Sequence, residues 1–170
     1  SSVTKICKKA FWYYKHLQNV EILPDSQLQI IEEFAFHSSA IESITIPSKL
    51  VELKEGWCSL TQKLNKITVS PENPYFKSFE DKLIVRKSSI EKENFNEIVF
   101  SIRCIEKVDI PDSIERICPY SFFGCKNLQI VEFSNKSKLR IIDKAAFQYS
   151  SIKSIQIPSS VTVIGENAFS

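Results

Sequence analysis

The stretch that decides the fold is residues 151–170, SIKSIQIPSSVTVIGENAFS, because its spacing recurs throughout the chain. The first half of this stretch has the pattern Ile-x-x-Ile-x-Ile, followed by proline. The second half has two aliphatic residues three positions apart, then a small residue followed by an aromatic one. The residues that fill these positions are Ile152, Ile155, Ile157, Pro158, Val161, Ile164, Ala168 and Phe169.

Both halves recur at regular intervals. The first-half pattern starts at positions 17, 41, 64, 105, 128 and 152, so the steps are 24, 23, 41, 23 and 24 residues. Second halves start at positions 3, 28, 50, 114, 139 and 161, and the copy at 50 is degenerate, because its aromatic residue, Trp57, stands one place earlier, before Cys58. A repeat of this length predicts a solenoid, because one coil cannot bury its apolar face without neighbours stacked on it.

The alternation in the first half is typical of a strand that buries one face. Prolines at 47, 111 and 158 are expected to end the strand, since proline has no N–H for the ladder, and Pro24 does so one residue later. We therefore expect a β-rich α/β repeat protein. Its fold would be a right-handed solenoid with a parallel β-sheet on one face and short turns or helical pieces on the other.

The combined pattern, L-x-x-I-x-I-P-x-x-V-x-x-I-x-x-x-A-F-x-x-C, resembles the treponemal-type leucine-rich repeat of BspA-like surface proteins. The resemblance runs from Val3 to Phe169, and Phe122-Phe123-Gly124-Cys125 fits the F-x-G-C segment of that family well. It implies a leucine-rich-repeat fold, a cell-surface or secreted location and an origin in a protist parasite. It also implies attachment to host cells or to proteins of the extracellular matrix.

The 41-residue step predicts an irregular insertion at residues 71–104, between repeats at 1–70 and 105–170 of a single domain. Residues 76–79 alternate, Glu80-Asp81 can turn, and residues 83–85 and 98–100 are apolar, so we expect a β-hairpin and a third strand. The insertion either projects to recognise a partner or only bends the solenoid. Because both ends of the chain fall inside a second-half motif, we expect a fragment of a longer array that could associate end to end.

Composition argues against several classes of function. The net charge of +2, from 22 basic and 20 acidic side chains, gives no basic stripe for nucleic acid. No apolar run approaches the roughly 20 residues that span a bilayer, so membrane attachment would need parts outside this chain. Five cysteines without a C-x-x-C pair argue against a zinc site and a complete disulfide framework. No catalytic motif occurs, so we expect no enzyme, cofactor, metal or small-molecule substrate.

A protein partner suits the extended sheet face best. Its outward column is expected to contain Glu21, Thr45, Thr68, Asp109, Glu132 and Gln156. A neighbouring column would contain Asn19, Ser43, Lys66, Lys107, Ile130 and Ser154. A second candidate is the aromatic patch Trp12, Tyr13 and Tyr14, which packing against the next coil explains equally well. The sequon Asn135-Lys136-Ser137 is a possible N-glycosylation site.

Three functions stay open at the level of sequence. The first is an adhesion module that binds host or matrix proteins, which rests on the family resemblance. The second is a structural spacer or self-associating scaffold, because the sheet face has no repeated column of ligand-like residues. The third is a cytosolic scaffold, with which five free thiols are compatible.

Overall fold

The computed structural model describes residues 2–23 and 25–170, and within them the chain is a β-solenoid of about seven coils. Pro24, the expected terminator of the first strand, lies outside the described residues. The strands, in chain order, are β1 (Lys5–Ile6), β2 (Asn19–Val20), β3 (Ile30–Ile31), β4 (Ser43–Ile46), β5 (Glu52–Leu53), β6 (Lys66–Val69), β7 (Phe76–Phe79), β8 (Leu83–Arg86), β9 (Glu97–Ser101), β10 (Lys107–Ile110), β11 (Arg116–Ile117), β12 (Ile130–Phe133), β13 (Ile141–Ile142) and β14 (Val163–Ile164).

Most coils contribute two strands instead of the one expected. First-half strands form the parallel sheets β2-β4-β6 and β10-β12. Second-half strands form the parallel sheet β1-β3-β5 and three strands, β14, β13 and β11, of the six-stranded sheet β14-β13-β11-β9-β8-β7. The prediction of one sheet on one face was therefore incomplete. The second aliphatic residue of each second half and the residue before it are also extended, so their backbone hydrogen-bonds to the neighbouring coil.

No helix occurs among the described residues, so the prediction of helical pieces was wrong. In the first coil the amide of Ala10 donates to Cys7 O at 3.1 Å, within the coil, whereas the next amide, of Phe11, donates to Ala35 O of the neighbouring coil at 2.7 Å. An α-helix would direct every amide to a carbonyl four residues earlier. Residues with a left-handed backbone conformation, with positive φ, recur in these turns and prevent an α-helix from forming. They are Lys9, Tyr13, Phe34, Ser38, Gly56, Leu60, Tyr120, Gly124, Ala145, Tyr149 and Asn167.

The insertion forms the predicted hairpin and third strand. Strands β7 and β8 pair antiparallel, and two of the three turn residues between them, Glu80 and Asp81, have positive φ. Strand β9 pairs antiparallel with β8 and parallel with β11, so it occupies the place of an ordinary second-half strand. Every residue of β9 is buried. Strand β9 and three of the four residues of β8 are thus part of the core, which argues against the projecting role.

The insertion lacks the aromatic turn of the other coils, so the turns on either side of it meet directly. The side chain of Gln62 donates to the carbonyl of Gly124 at 2.9 Å. The rings of Phe34 and Tyr120 lie 5.5 Å apart, edge to face. At the same junction, the buried guanidinium of Arg103 stacks on Phe100 at 4.4 Å. These contacts join residues 2–70 and 105–170 into one stack.

Inside the solenoid, the aromatic residues of the second halves stack in register. The rings of Phe122 and Phe147 lie 4.7 Å apart, and those of Phe147 and Phe169 lie 5.3 Å apart, both pairs nearly parallel. Phe11 stacks on Phe36 in the same way. Offset aromatic pairs add about 1 kcal/mol beyond their burial. The repeated aromatic residue therefore holds each coil to the next.

Candidate recognition surfaces

The sheet face brings several of the predicted columns together. Strand register places Asn19, Ser43 and Lys66 side by side on three successive coils. Thr45 lies beside Thr68 in the same sheet. On the later coils Lys107 pairs with Ile130, and Asp109 pairs with Glu132. All of these side chains are exposed except Ser43 and Thr45, which are half-buried.

The columns do not run the length of the molecule as the sequence predicted. The insertion divides the first-half strands into two sheets, so no ladder joins Thr68 to Asp109. Glu21 lies just past β2, while Ser154 and Gln156 lie in a segment without strand structure.

The charges on the later part of this face are partly paired. The ammonium of Lys107 lies 3.4 Å from a carboxylate oxygen of Asp109 and 3.0 Å from one of Glu132. Side-chain hydrogen bonding to Glu132 raises the pKa of Lys107. The sheet face is therefore polar, and because one lysine pairs with two carboxylates, these three residues keep a net charge of −1.

The turn face carries a longer aromatic surface than the sequence indicated. Trp12 and Tyr13 are 43% and 57% exposed, and both rings lie within 6 Å of the imidazole of His37. From His37, aromatic contacts of 5.3–5.6 Å continue across later coils to Tyr149, which is 58% exposed. We call this row the aromatic belt: Trp12, Tyr13, Phe34, His37, Tyr120, Phe123 and Tyr149. Tyr14, the third residue of the predicted patch, is exposed beside it.

The sequence contains a signal for the belt that was missed. Phe34 and Tyr120 both stand one position before a small-aromatic pair, and Tyr13 and Tyr149 both stand two positions after one. These four residues have positive φ. The belt is therefore a feature of the left-handed turn positions, which the expectation of helical pieces obscured.

Lysines without carboxylate partners accompany the first part of the belt. Lys9 lies 3.7 Å over the ring of Trp12, and Lys15 lies 4.9 Å over that of Tyr13. Neither forms an ion pair with any residue in the described part of the chain. Burial, together with the charges of Lys15 and Lys9, lowers the pKa of His37, whose Nδ1 lies 2.6 Å from the hydroxyl of Ser59. This end of the belt is therefore cationic.

The cysteines offer no reactive centre in the core. Burial raises the pKa of both Cys58 and Cys118 to about 12, and it also raises the pKa of Cys125. Cys7 and Cys104 are exposed, and all five thiols are free. Residues 2–23 and 25–170 contain no group of three or more metal-ligating side chains.

A protein-family comparison identifies the repeat. The model described as BspA type leucine rich repeat region, in 6 copies, matches residues 1–103 and 93–170. The chain belongs to the BspA-type leucine-rich repeat family. Leucine-rich repeat proteins of this kind generally mediate protein–protein interactions and are typically non-enzymatic. No curated protein sequence matches the chain.

Solved structures of similar proteins support the fold. A leucine rich cell surface protein from Faecalibacterium prausnitzii is 23% identical with a TM-score of 0.73, over 98% of this chain and 48% of its own. The pneumococcal vaccine antigen PcpA is 20% identical with a TM-score of 0.74, over 96% and 45%. A leucine-rich repeat protein from Bacteroides ovatus is 18% identical with a TM-score of 0.54, over 97% and 43%.

The chain thus spans about half the length of these relatives. All three relatives are bacterial proteins, and they give no support to the predicted origin in a protist parasite. That the chain is one domain cut from a longer array stays a prediction. The described residues contain no helix that is long and apolar enough to cross a membrane.

Proposed function

We propose that the chain is a non-catalytic protein-recognition module of a cell-surface or secreted protein, and that it adheres to host or extracellular-matrix proteins. The observation that carries this proposal is the aromatic belt, whose exposed rings are those of Trp12, Tyr13 and Tyr149. Aromatic residues are enriched at the hot spots of protein interfaces, where they supply large contact areas at a low entropic cost. The cell-surface description of the Faecalibacterium relative supports the location.

The sheet face is the second candidate surface within the same function. Its exposed acidic residues are Glu21, Asp109 and Glu132. Because Asp109 and Glu132 already form ion pairs with Lys107, we expect this face to contribute less to binding than the belt.

The proposal is tested by measuring binding of the purified chain to immobilised matrix proteins and to intact epithelial cells. One variant removes the exposed rings of the belt, Trp12→Ala, Tyr13→Ala and Tyr149→Ala. A matched variant reverses charge on the sheet face, Glu21→Lys, Asp109→Lys and Glu132→Lys. We expect saturable binding that the belt variant loses, that the sheet variant largely keeps, and that protease treatment of the cells abolishes. Absence of binding to either surface would contradict the proposed function.

A self-associating scaffold is the alternative, and one specific observation favours it. Val163, Ile164 and Phe169 are exposed, whereas Ile142 and Phe147, the counterparts of Ile164 and Phe169 one coil earlier, are fully buried. A second copy of the chain stacked on these residues would bury them. Light scattering across a concentration series tests this: growth of the apparent mass that Phe169→Glu abolishes supports stacking, and a constant monomer mass excludes it.

A further inference from the structure

The last two coils separate on their strand side. The 24-residue step of the repeat predicts that residues 152–157 pair with β12, as β12 pairs with β10. Residues 151–158 instead hold no strand, and no backbone hydrogen bond joins them to β12. Two adjoining clefts of about 680 and 330 Å³ lie between the segments. Their walls include Ile130, Glu132, Asn135, Ser154 and Gln156.

The separation is confined to this side of the stack. On the turn side, the amide of Gly165 donates to Ile142 O at 2.7 Å, and the amide of Phe147 donates to Ala168 O at 2.7 Å. The backbones approach so closely there that a Cβ on Gly165 would lie 2.3 Å from the nitrogen of Lys144. The last coil is therefore firmly docked at its turn and open at its strand.

Side-chain hydrogen bonds close both ends of the opening. The hydroxyl of Ser151 donates to the carbonyl of Lys126 at one end. At the other end, the hydroxyl of Ser160 donates to the carbonyl of Ser137 at 3.2 Å. The two segments are thus held beside each other while the backbone between these ends is left unpaired.

Both walls of the cleft present unpaired backbone. The amide of Ile130 donates to Glu106 O at 3.3 Å, so this residue directs its backbone groups towards β10. Successive residues of a parallel strand direct these groups to opposite sides, so those of Val131 and Phe133 face the cleft. Residues 152–157 present their own free groups from the other wall. Unpaired strand edges are templates for a further strand.

We infer that this cleft binds an extended segment of a protein partner by strand addition, an inference that rests on the proposed function. An extended backbone carries both donors and acceptors along each of its edges, so it can pair with both walls at once. Val131 is buried, and Ile155 packs against the core, whereas Glu132 and Gln156 are exposed at the rim. The bound segment should therefore alternate, with apolar side chains facing the core and polar ones facing solvent.

A peptide probe tests this chemistry. The fluorescein-labelled heptapeptide LNKITVS copies residues 64–70, which contain a strand of this repeat. The control is the same peptide with proline in place of Lys66 and Thr68, which removes two amide donors. We expect the native sequence to bind saturably in fluorescence anisotropy and the proline peptide to bind at least tenfold more weakly. Equal binding of both peptides, or binding of neither, would overturn the inference.

A reversible closure of the cleft provides the matched control. Ile130→Cys with Ser154→Cys, in a Cys7→Ser and Cys104→Ser background, would join the two walls by a disulfide. The oxidised form should lose peptide binding, and reductant should restore it. If the oxidised form still bound the peptide, the site would lie elsewhere and the inference would fail.

Amide hydrogen exchange gives a readout that does not depend on the variants. The amides of Val131 and Phe133 should exchange faster than those of Ile44 and Ile46 and become protected when LNKITVS binds. If the amides of Val131 and Phe133 were protected from exchange in the chain without peptide, the cleft would be closed in solution and the inference would be overturned. If the peptide does not bind while the chain still binds matrix proteins or cells, strand addition is excluded and the proposed function stands.

Discussion

Arg103 is a charged side chain with only 2% of its surface exposed, at the junction created by the insertion. Its Nη1 donates to Ser121 O at 2.9 Å, and its Nη2 donates to Cys58 O at 3.4 Å. These carbonyls belong to turns on either side of the coil that lacks an aromatic turn. The guanidinium thus supplies donors that the backbone of an ordinary turn would supply elsewhere in the stack.

Replacing Arg103 should therefore destabilise the whole molecule. Arg103→Ala removes the donors and leaves a large cavity, so we expect the free energy of unfolding to fall by about 3 kcal/mol. Arg103→Lys keeps the charge but loses the forked donor geometry, so it should recover only part of that loss. Urea unfolding measures both, and Arg140→Ala, at an exposed arginine, is the control. A midpoint unchanged in Arg103→Ala would show that the junction does not depend on this residue.

The buried thiols make stability fall at alkaline pH. Because burial raises the pKa of Cys58 and Cys118 from an ordinary value of 9.0 to about 12, unfolding releases protons from them between those two pH values. Stability is complete below pH 9 and decreases as pH rises, by at most about 1.4 kcal/mol per pH unit for each thiol. Urea unfolding between pH 8 and pH 11 should show this slope, reduced in Cys58→Ala and unchanged in Cys7→Ala. An identical slope in Cys58→Ala would contradict the assignment.

At the scale of elements, the entry to the insertion is fixed by one asparagine. The side-chain amide of Asn73 donates to Pro47 O at 2.7 Å and to Leu50 O at 3.0 Å. Its side-chain oxygen accepts from the amides of Tyr75 and Phe76, each at 2.8 Å. Asn73 is buried, and these four bonds anchor the start of β7 to the preceding coil. They give a structural reason for the Asn-Pro that precedes the hairpin.

Asn73→Asp tests this role with almost no change in shape. The carboxylate keeps the acceptor but loses both donors, and it would face two carbonyl oxygens in a buried site. We expect a loss of about 3 kcal/mol in unfolding free energy. The loss should shrink as pH falls, because a protonated carboxyl can donate to one of the carbonyls. Asn94→Asp, at an exposed asparagine in the same insertion, should be neutral. Equal stability of both variants would show that the side chain of Asn73 does not anchor β7 to the preceding coil.

The insertion shows how far local patterns predict these elements. The alternation in residues 76–79 and the apolar runs at 83–85 and 98–100 predict β7, β8 and β9. Alternation indicates a strand with one buried face, and an apolar run indicates a strand with both faces buried. The parallel pairing of β9 with β11 could not be predicted, since it depends on which coil the strand meets. The turns were misjudged because positive φ at non-glycine residues such as Tyr120 follows from a recurring position in the repeat and not from the residue type.

At the scale of the whole molecule, the aromatic belt is continuous because the coils before the insertion, residues 2–70, pack directly on those after it, residues 105–170. The edge-to-face contact of Phe34 with Tyr120 is the only belt contact that crosses the junction among the described residues. Lys144 and Glu55 add an ion pair of 2.6 Å beside it. The sequence predicted one of the belt's ends, at Trp12 and Tyr13, but not its continuation, which exists only because the insertion lacks a turn.

The measurement that tests the account most directly compares two half-belt variants by surface plasmon resonance, on the matrix protein that the wild-type chain binds. One carries Trp12→Ala and Tyr13→Ala, and the other carries Tyr120→Ala and Tyr149→Ala. Because the belt forms one surface across the junction, each variant should weaken binding at least tenfold, while the sheet-face variant stays near wild type. Full affinity in either half-belt variant, or a larger loss in the sheet-face variant, would contradict the belt as the recognition surface.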